Sequence, residues 1–369
     1  MFLAQLQLTD FRNYETLSLS FPPEGVLLRG SNGSGKTNLL EAIHVLCTGR
    51  SQRGARRGTM IRIGRRYAHV AGTFRESGSE RSSTASIGMG RDGSLAMQRD
   101  GRRIDVLSRW FGAAGVVAVG PDDMRLVQGG PSDRRGFMDM LLSQASPDYL
   151  DHLVAYRGNL LNRNRLLARH GDDLHIGIYE EAMAEHGAAI MESRRSLGIR
   201  LGPFFADFCE KMSIGAETGA LEYRPSISEE NGGENGSEKP WKDVFLQGLR
   251  ETRKRDRDLG FSSIGPHRDD LTIRINDQPA KVLASQGQSR SLALSLRLGS
   301  VAYLEELGVG NTLFLVDDVF AELDDARVKR IWPVLQGRGQ LFATTPSGRR
   351  ELDRQLPIME VKAGKVSVS

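Results

Sequence analysis

The feature that most constrains this chain is the stretch Val26–Ile43, V-L-L-R-G-S-N-G-S-G-K-T-N-L-L-E-A-I. Val26, Leu27 and Leu28 predict a short buried strand, a glycine-rich turn follows, and the apolar spacing from Asn38 to Ile43 predicts the start of a helix. Gly30, Gly35, Lys36 and Thr37 fit the pattern G-x-x-x-x-G-K-[ST], a loop whose backbone N–H groups wrap phosphates at a helix N-terminus. Gly33 and Gly35 let the backbone approach the anion, so the candidate nucleotide site is Gly30, Ser31, Asn32, Gly33, Ser34, Gly35, Lys36 and Thr37. Lys36 would reach the β- and γ-phosphates as a catalytic residue, and the Thr37 hydroxyl would ligate Mg²⁺.

The 369 residues suffice for one large domain or two moderate ones, and the two cysteines, Cys47 and Cys209, match no metal-ligand spacing. The opening M-F-L-A-Q-L-Q-L-T-D has neither a basic n-region nor a long apolar h-region, and no apolar run reaches the length of a membrane span. A cytoplasmic protein with no membrane segment is the expectation. A net charge of +4 is mild, so the distribution of charge carries more information than its sum.

Residues 2–8 and 17–21 alternate in polarity and predict a hairpin around the turn D-F-R-N-Y, in which Arg12 either faces a nucleotide or is a solvated turn residue. The phosphate-loop helix should end near Gly49. Beyond it Arg50, Arg53, Arg56, Arg57, Arg62, Arg65 and Arg66 fall among residues 50–66 with no Asp or Glu. Such an excess is either an electrostatic footprint for nucleic acid or a solvated basic loop, and Arg50, Arg53, Arg56 and Arg57 are the DNA-binding candidates. Strands over 67–106 with turns at Asp92–Gly93 and Asp100–Gly101 predict a flanking antiparallel sheet, and V-V-A-V at 116–119 another buried strand.

From 123 to 260 the pattern is helical: a helix capped by Ser132 or Asp133, then leucine stripes over 148–169, 178–199 and 203–213, with Pro203 read as a helix start. The acidic, glycine-rich run at 228–240 reads as a mobile loop. After it, A-S-Q-G-Q-S-R opens a long amphipathic helix, and Leu313 to Val316 form a buried strand that delivers Asp317 and Asp318 at its C-terminal end. Asp317 would hold Mg²⁺ opposite Thr37, and Asp318 would orient or deprotonate the attacking water. Ser285 and Gly287, small residues at a helix N-terminus, suit an anion, a weak signal alone.

The order of these motifs resembles the ABC-type ATPase heads shared with SMC and Rad50 proteins, and more closely the RecF family of bacterial recombination mediators. D-F-R-N-Y, G-S-N-G-S-G-K-T, G-R-S-Q-R, P-D-D-M-R-L-V-Q-G-G-P-S-D-R-R-G-F-M-D, Y-R-G-N-L-L-N-R-N, G-P-H-R-D-D-L, A-S-Q-G-Q-S-R and L-V-D-D-V-F-A-E-L-D carry the likeness. It implies an α/β fold: an ABC-type P-loop head with a mixed parallel core sheet and a flanking antiparallel sheet, plus an inserted mostly helical arm. The head would comprise 1–122 and 261–369, the arm 123–260.

The resemblance further implies ATP and Mg²⁺ as cofactors, with Ser285 and Gly287 contacting the γ-phosphate held by the phosphate loop of a second copy. An ATP-dependent homodimer on double-stranded or gapped DNA, slow hydrolysis that releases it, and RecR and RecO as partners in recombinational repair and replication are the expected function. A nucleotide-switched scaffold with incidental DNA contact is the alternative. Three positions depart from the general ABC pattern: Asp318 stands where most heads have Glu, no Gln falls at Val119–Asp122 (leaving Asp122 as one candidate metal sensor), and no His falls near Thr344–Thr345.

Overall fold

The computed structural model describes residues 1–111, 114–227, 240–309, 312–319, 325–336, 339–346 and 356–368. They group into two compact units, Met1–Asp123 with Leu294–Ser369, and Met124–Ala293. The expected mobile loop at 228–240, apart from Pro240, and the A-E-L-D stretch at 321–324 lie outside the described residues.

In the first unit a six-stranded sheet runs in the order Lys365–Val368, Ile358–Lys362, Gly25–Arg29, Gln340–Thr345, Leu313–Val316 and Val116–Val119. All neighbours are parallel except the antiparallel edge strand Lys365–Val368. Strands buried on both faces need continuous apolar runs, and L-F-L-V at Leu313–Val316 is buried throughout. The second sheet, Tyr14–Ser20, Phe2–Phe11, Tyr67–Arg75, Ser82–Gly90, Leu95–Arg99 and Arg102–Ile104, is wholly antiparallel and alternates buried with exposed residues. At its Asp100–Gly101 turn both residues have positive φ, +50° and +73°, as a two-residue hairpin turn requires. Helix Lys36–Thr48 is packed into this unit's core through Leu39, Leu40 and Ile43, and ends on Gly49 at φ +70°.

The second unit holds helices Pro131–Ala145, Pro147–Ala168, Asp173–Ser213 and Trp241–Leu259 together with a three-stranded antiparallel sheet. Strand Asp270–Ile275 pairs along its whole length with Gly219–Arg224, so residues beyond 260, where the sequence suggested a boundary, pack in this unit up to Ala293. Two helix assignments change. The first helix is capped by Gly130, with Pro131 in its first turn and Asp133 accepting the Gly130 N–H at 3.1 Å, in place of a Ser132 or Asp133 cap. Pro203 lies inside one 41-residue helix and does not begin a new one. Leu197, Leu201, Phe205 and Phe208 are buried on either side of it, and that continuous apolar face outweighs one missing backbone hydrogen bond.

Arg163 is fully buried in this unit, and each of its five N–H groups has an acceptor. Nε and Nη2 donate to Glu180 Oε1 at 3.2 and 2.9 Å, Nη1 to Asp256 Oδ2 at 2.8 Å and Ser262 Oγ at 2.7 Å, and Nη2 also to the Leu249 carbonyl at 3.3 Å. Arg194 plays the same part among Asp139, Asp269, Tyr149 and the Pro266 carbonyl. The G-P-H-R-D-D stretch is thereby tied to three helices of its own unit.

Candidate functional site

The phosphate loop sits between strand Gly25–Arg29 and helix Lys36–Thr48, as the sequence pattern requires. Its backbone is shaped from three directions. Gly35 has φ +119°, and a Cβ there would lie 2.6 Å from Asn13 Nδ2 and 2.8 Å from the Tyr14 hydroxyl. Tyr14 donates to the Gly35 carbonyl at 3.0 Å, and Asn13 Nδ2 to the Ser34 carbonyl at 3.2 Å. A Cβ on Gly30 would meet the Val361 carbonyl oxygen at 2.3 Å. Lys36 is buried and curls back to donate to the carbonyls of Gly30 at 2.8 Å and Ser31 at 3.2 Å. Among the described residues, Ser34 Oγ is buried without a hydrogen-bond partner.

Gly35→Ala tests this packing. The methyl group would need Asn13 and Tyr14 to retreat and an alanine to hold positive φ, so the loop must open. Nucleotide affinity is expected to fall at least about tenfold, the equivalent of 1.4 kcal/mol, in a fluorescent-nucleotide titration.

Opposite the loop, Thr37 Oγ1 donates to Asp317 Oδ1 at 3.0 Å. Thr344 Oγ1 lies 3.0 Å from Asp317 Oδ1 and 3.1 Å from Asp318 Oδ1, and accepts the Asp318 N–H at 2.8 Å. Thr344 thus occupies the ground where a histidine is absent from the sequence, and holds both carboxylates in register. Asp318 takes φ +52°, a left-handed conformation that Asp tolerates better than most side chains. Burial pushes the Asp317 carboxyl above its usual range, hydrogen bonds from Thr37 and Thr344 oppose the rise, Asp318 adds to it, and Arg53 opposes it. A carboxylate raised by burial, a neighbouring acid, a threonine hydroxyl at 3.0 Å and an orphaned serine hydroxyl in the loop form a donor set that fits a divalent cation and a phosphate.

The four DNA candidates divide. Arg53 is exposed and its charge helps hold the Asp317 carboxyl down, Arg56 is exposed, and Arg57 donates to the Gly93 carbonyl at 3.0 Å. Arg50 is exposed, and its carbonyl accepts from Thr48 Oγ1 at 3.1 Å. Arg12 does not present its guanidinium as a free group to a nucleotide: Nε and Nη2 clasp the fully buried Glu41 at 2.7 and 2.8 Å, and Ser51 donates to the same carboxylate. Asp122 is exposed, and its neighbour Asp123 accepts the Gly120 N–H at 2.8 Å and takes Arg297 at 2.6 Å.

In the second unit Ser285 and Gln288 form a reciprocal cap: Ser285 Oγ accepts the Gln288 N–H at 3.2 Å, and Gln288 Oε1 accepts the Ser285 N–H at 2.8 Å. Gly287 lies in the first turn of the helix Gln286–Glu306. Sequence reasoning missed Asn13, Tyr14 and Thr344 as shaping residues; their only signal was their position at a turn and a strand end.

A parallel sheet with a phosphate loop after one strand and an Asp-Asp pair after another, flanked by an antiparallel sheet, defines an ABC-type ATPase head. The family described as RecF/RecN/SMC N terminal domain matches residues 2–350, and the chain belongs to it. It is 33% identical to the DNA replication and repair protein RecF of Bacillus cytotoxicus, with 99% of this chain and 98% of the relative covered. The RecF of Bacillus cereus is likewise 33% identical over 94% of this chain and 92% of its own. Among solved structures, the recombination mediator protein RecF with ATP is similar at a TM-score of 0.89, 29% identity and coverage of 100% of this chain and 97% of that one. An Smc head bound to the C-winged helix domain of ScpA, at 18% identity and a TM-score of 0.58 over 100% of this chain and 97% of its own, shares the fold. No helix among the described residues is long and apolar enough to cross a membrane.

Proposed function

We propose that this protein is an ATP-gated DNA-binding protein of recombinational repair and replication, acting in the cytoplasm with RecO- and RecR-type partners. The observation that carries the reading is the Thr37–Asp317 hydrogen bond of 3.0 Å beside the Lys36 loop. Thr37 and Asp317 would hold Mg²⁺, which when bound supplies the charge that neutralises the triphosphate. Lys36 would exchange its carbonyl contacts for phosphate oxygens, and the loop N–H groups with Ser34 Oγ would take up the remainder. Asp318 would accept the proton of the attacking water, held in place by Thr344. An aspartate is one methylene shorter than the glutamate of most ABC heads, which agrees with slow turnover.

Ser285 and Gly287 serve in this reading as the lid for the pocket of a second copy, so ATP joins two heads on duplex or gapped DNA and hydrolysis parts them. The reciprocal Ser285–Gln288 cap leaves the helix N-terminus ordered in advance for an anion. Ser285→Arg places a long cation where the γ-phosphate of the second copy must approach. Sedimentation with ATP is expected to give a dimer for the wild type and a monomer that still binds nucleotide for the variant; a variant dimer of undiminished strength would sink the trans arrangement.

A further inference from the structure

Arg62–Arg66 forms a turn whose backbone is pinned from outside. The Arg62 N–H donates to the Asp10 carbonyl at 2.8 Å, the Arg65 N–H closes the turn on the Arg62 carbonyl at 3.0 Å, and Gly64 supplies φ +84°. One side chain from another hairpin then locks it: Arg91 Nε donates to the Arg65 carbonyl at 2.6 Å and Arg91 Nη2 to the Arg62 carbonyl at 3.1 Å. The Arg91 N–H adds a bond to the Arg66 carbonyl at 3.1 Å. At the apex of this clamped turn stands Ile63, 95% exposed, the most exposed large apolar side chain among the described residues.

A single surface isoleucine is ordinary. What sets this one apart is its mounting and its surroundings. Ile63 borders an open depression of about 660 Å³ shared with Arg56, Arg57, Ile61 and Arg91. Arg62 and Arg65 are engaged by Asp10 and Glu15, and Asp92 is turned onto Ser94. Among the described residues, none of Arg56, Arg57, Arg66 and Arg91 pairs with a carboxylate. Three arginines, Arg56, Arg57 and Arg91, against one carboxylate, Asp92, line the depression beside this protruding aliphatic side chain, with the exposed Arg66 at the end of the turn. That net positive charge favours a polyanion with apolar surface between its charges, which a nucleic-acid groove supplies: phosphates along its walls, sugars and base edges at its floor. Because the turn is already rigid, presenting Ile63 to a ligand costs little conformational entropy.

We propose that Ile63 is an apolar wedge that enters the minor groove of duplex DNA and opens a base step, while Arg56, Arg57, Arg66 and Arg91 hold the phosphates on either side. This rests on the DNA-binding reading above and adds to it the contact element and the way the duplex is deformed. Wedges of this kind bend the duplex toward the major groove, and a base step that is already weakened, as beside a gap, yields at lower cost.

The test uses the full chain with ATP and Mg²⁺ and a short duplex carrying fluorophores at both ends. Wild type is expected to shorten the end-to-end distance on binding, more so on a gapped duplex. Ile63→Ala, which cannot disturb a core it does not touch, is expected to bind about tenfold more weakly and leave the DNA straight, while Ile63→Phe keeps the bend. Arg56→Ala with Arg57→Ala is expected to weaken binding to every duplex alike and flatten the salt dependence by about one unit of slope per arginine. If Ile63→Ala bends DNA as the wild type does, the wedge is overturned and the DNA reading stands. If the wild type fails to bind duplex at low salt, both fall.

Discussion

Asp317→Asn is expected to make the nucleotide-free protein melt at a higher temperature at pH 7 while reducing ATP hydrolysis about a hundredfold or more, the scale of losing one preorganised charge contact at a reacting phosphate. The two effects have one origin. Burial holds the Asp317 carboxyl above its usual value of 3.8, and the nearby Asp318 pushes it the same way. An acid raised in the folded state binds more protons there than in the unfolded chain, so stability falls as pH climbs from 3.8 through the raised value, and above it the ionised group weighs against folding. Asparagine keeps an oxygen to accept from Thr37 and Thr344 and carries no charge, so it removes that cost. It also removes the charge that a divalent cation would repay. Melting curves without nucleotide should therefore show the variant's advantage at pH 7 and its loss as the pH approaches 3.8. Phosphate release with Mg²⁺ measures the other side. A variant that melts below the wild type at pH 7 would refute the buried-charge account, and one that hydrolyses ATP normally would remove Asp317 from the metal site.

The head was legible in the sequence because its chemistry and its folding signals coincide. The Gly30–Thr37 loop needs both a strand before it and a helix after it, and the alternation in Y-A-H-V-A-G-T-F-R reads directly as one buried face of a strand. Asp317 followed from an apolar run that must end somewhere polar. Arg12 misled because a turn arginine gives no sign of the acid it will meet: Glu41 comes 29 residues later, on the buried side of a helix. Thr344 carried no motif, and its role depends on strand Gln340–Thr345 lying parallel to Leu313–Val316, a register that only the assembled sheet defines. Pro203 misled for the opposite reason, since a local rule about proline was overridden by burial on both sides of it. The long-range ionic contacts of the second unit were invisible for the same reason as Arg12: the partners of Arg163 lie 17 to 99 positions away.

Those contacts set the largest stability effect. Arg163→Met is expected to destabilise the second unit by about 3–5 kcal/mol, because it leaves Glu180 and Asp256, both fully buried, with charge that no longer has its central counterion. Glu180 retains Arg253, so most of the loss should trace to Asp256, whose other contacts are Thr252 at 3.3 Å and the Ser263 N–H at 3.0 Å. The prediction that separates charge from packing is the double replacement: Arg163→Met with Asp256→Leu strands no acid opposite the arginine, and should recover much of the stability even though two ionic partners are gone. Denaturant unfolding of the full chain, followed by the fluorescence of Trp241 at the start of a helix in this unit with Trp110 and Trp332 replaced by Phe, reads the wild type and both variants. Equal loss in the single and double variants would mean that the side-chain volume of Arg163, and not its charge, holds the three helices together.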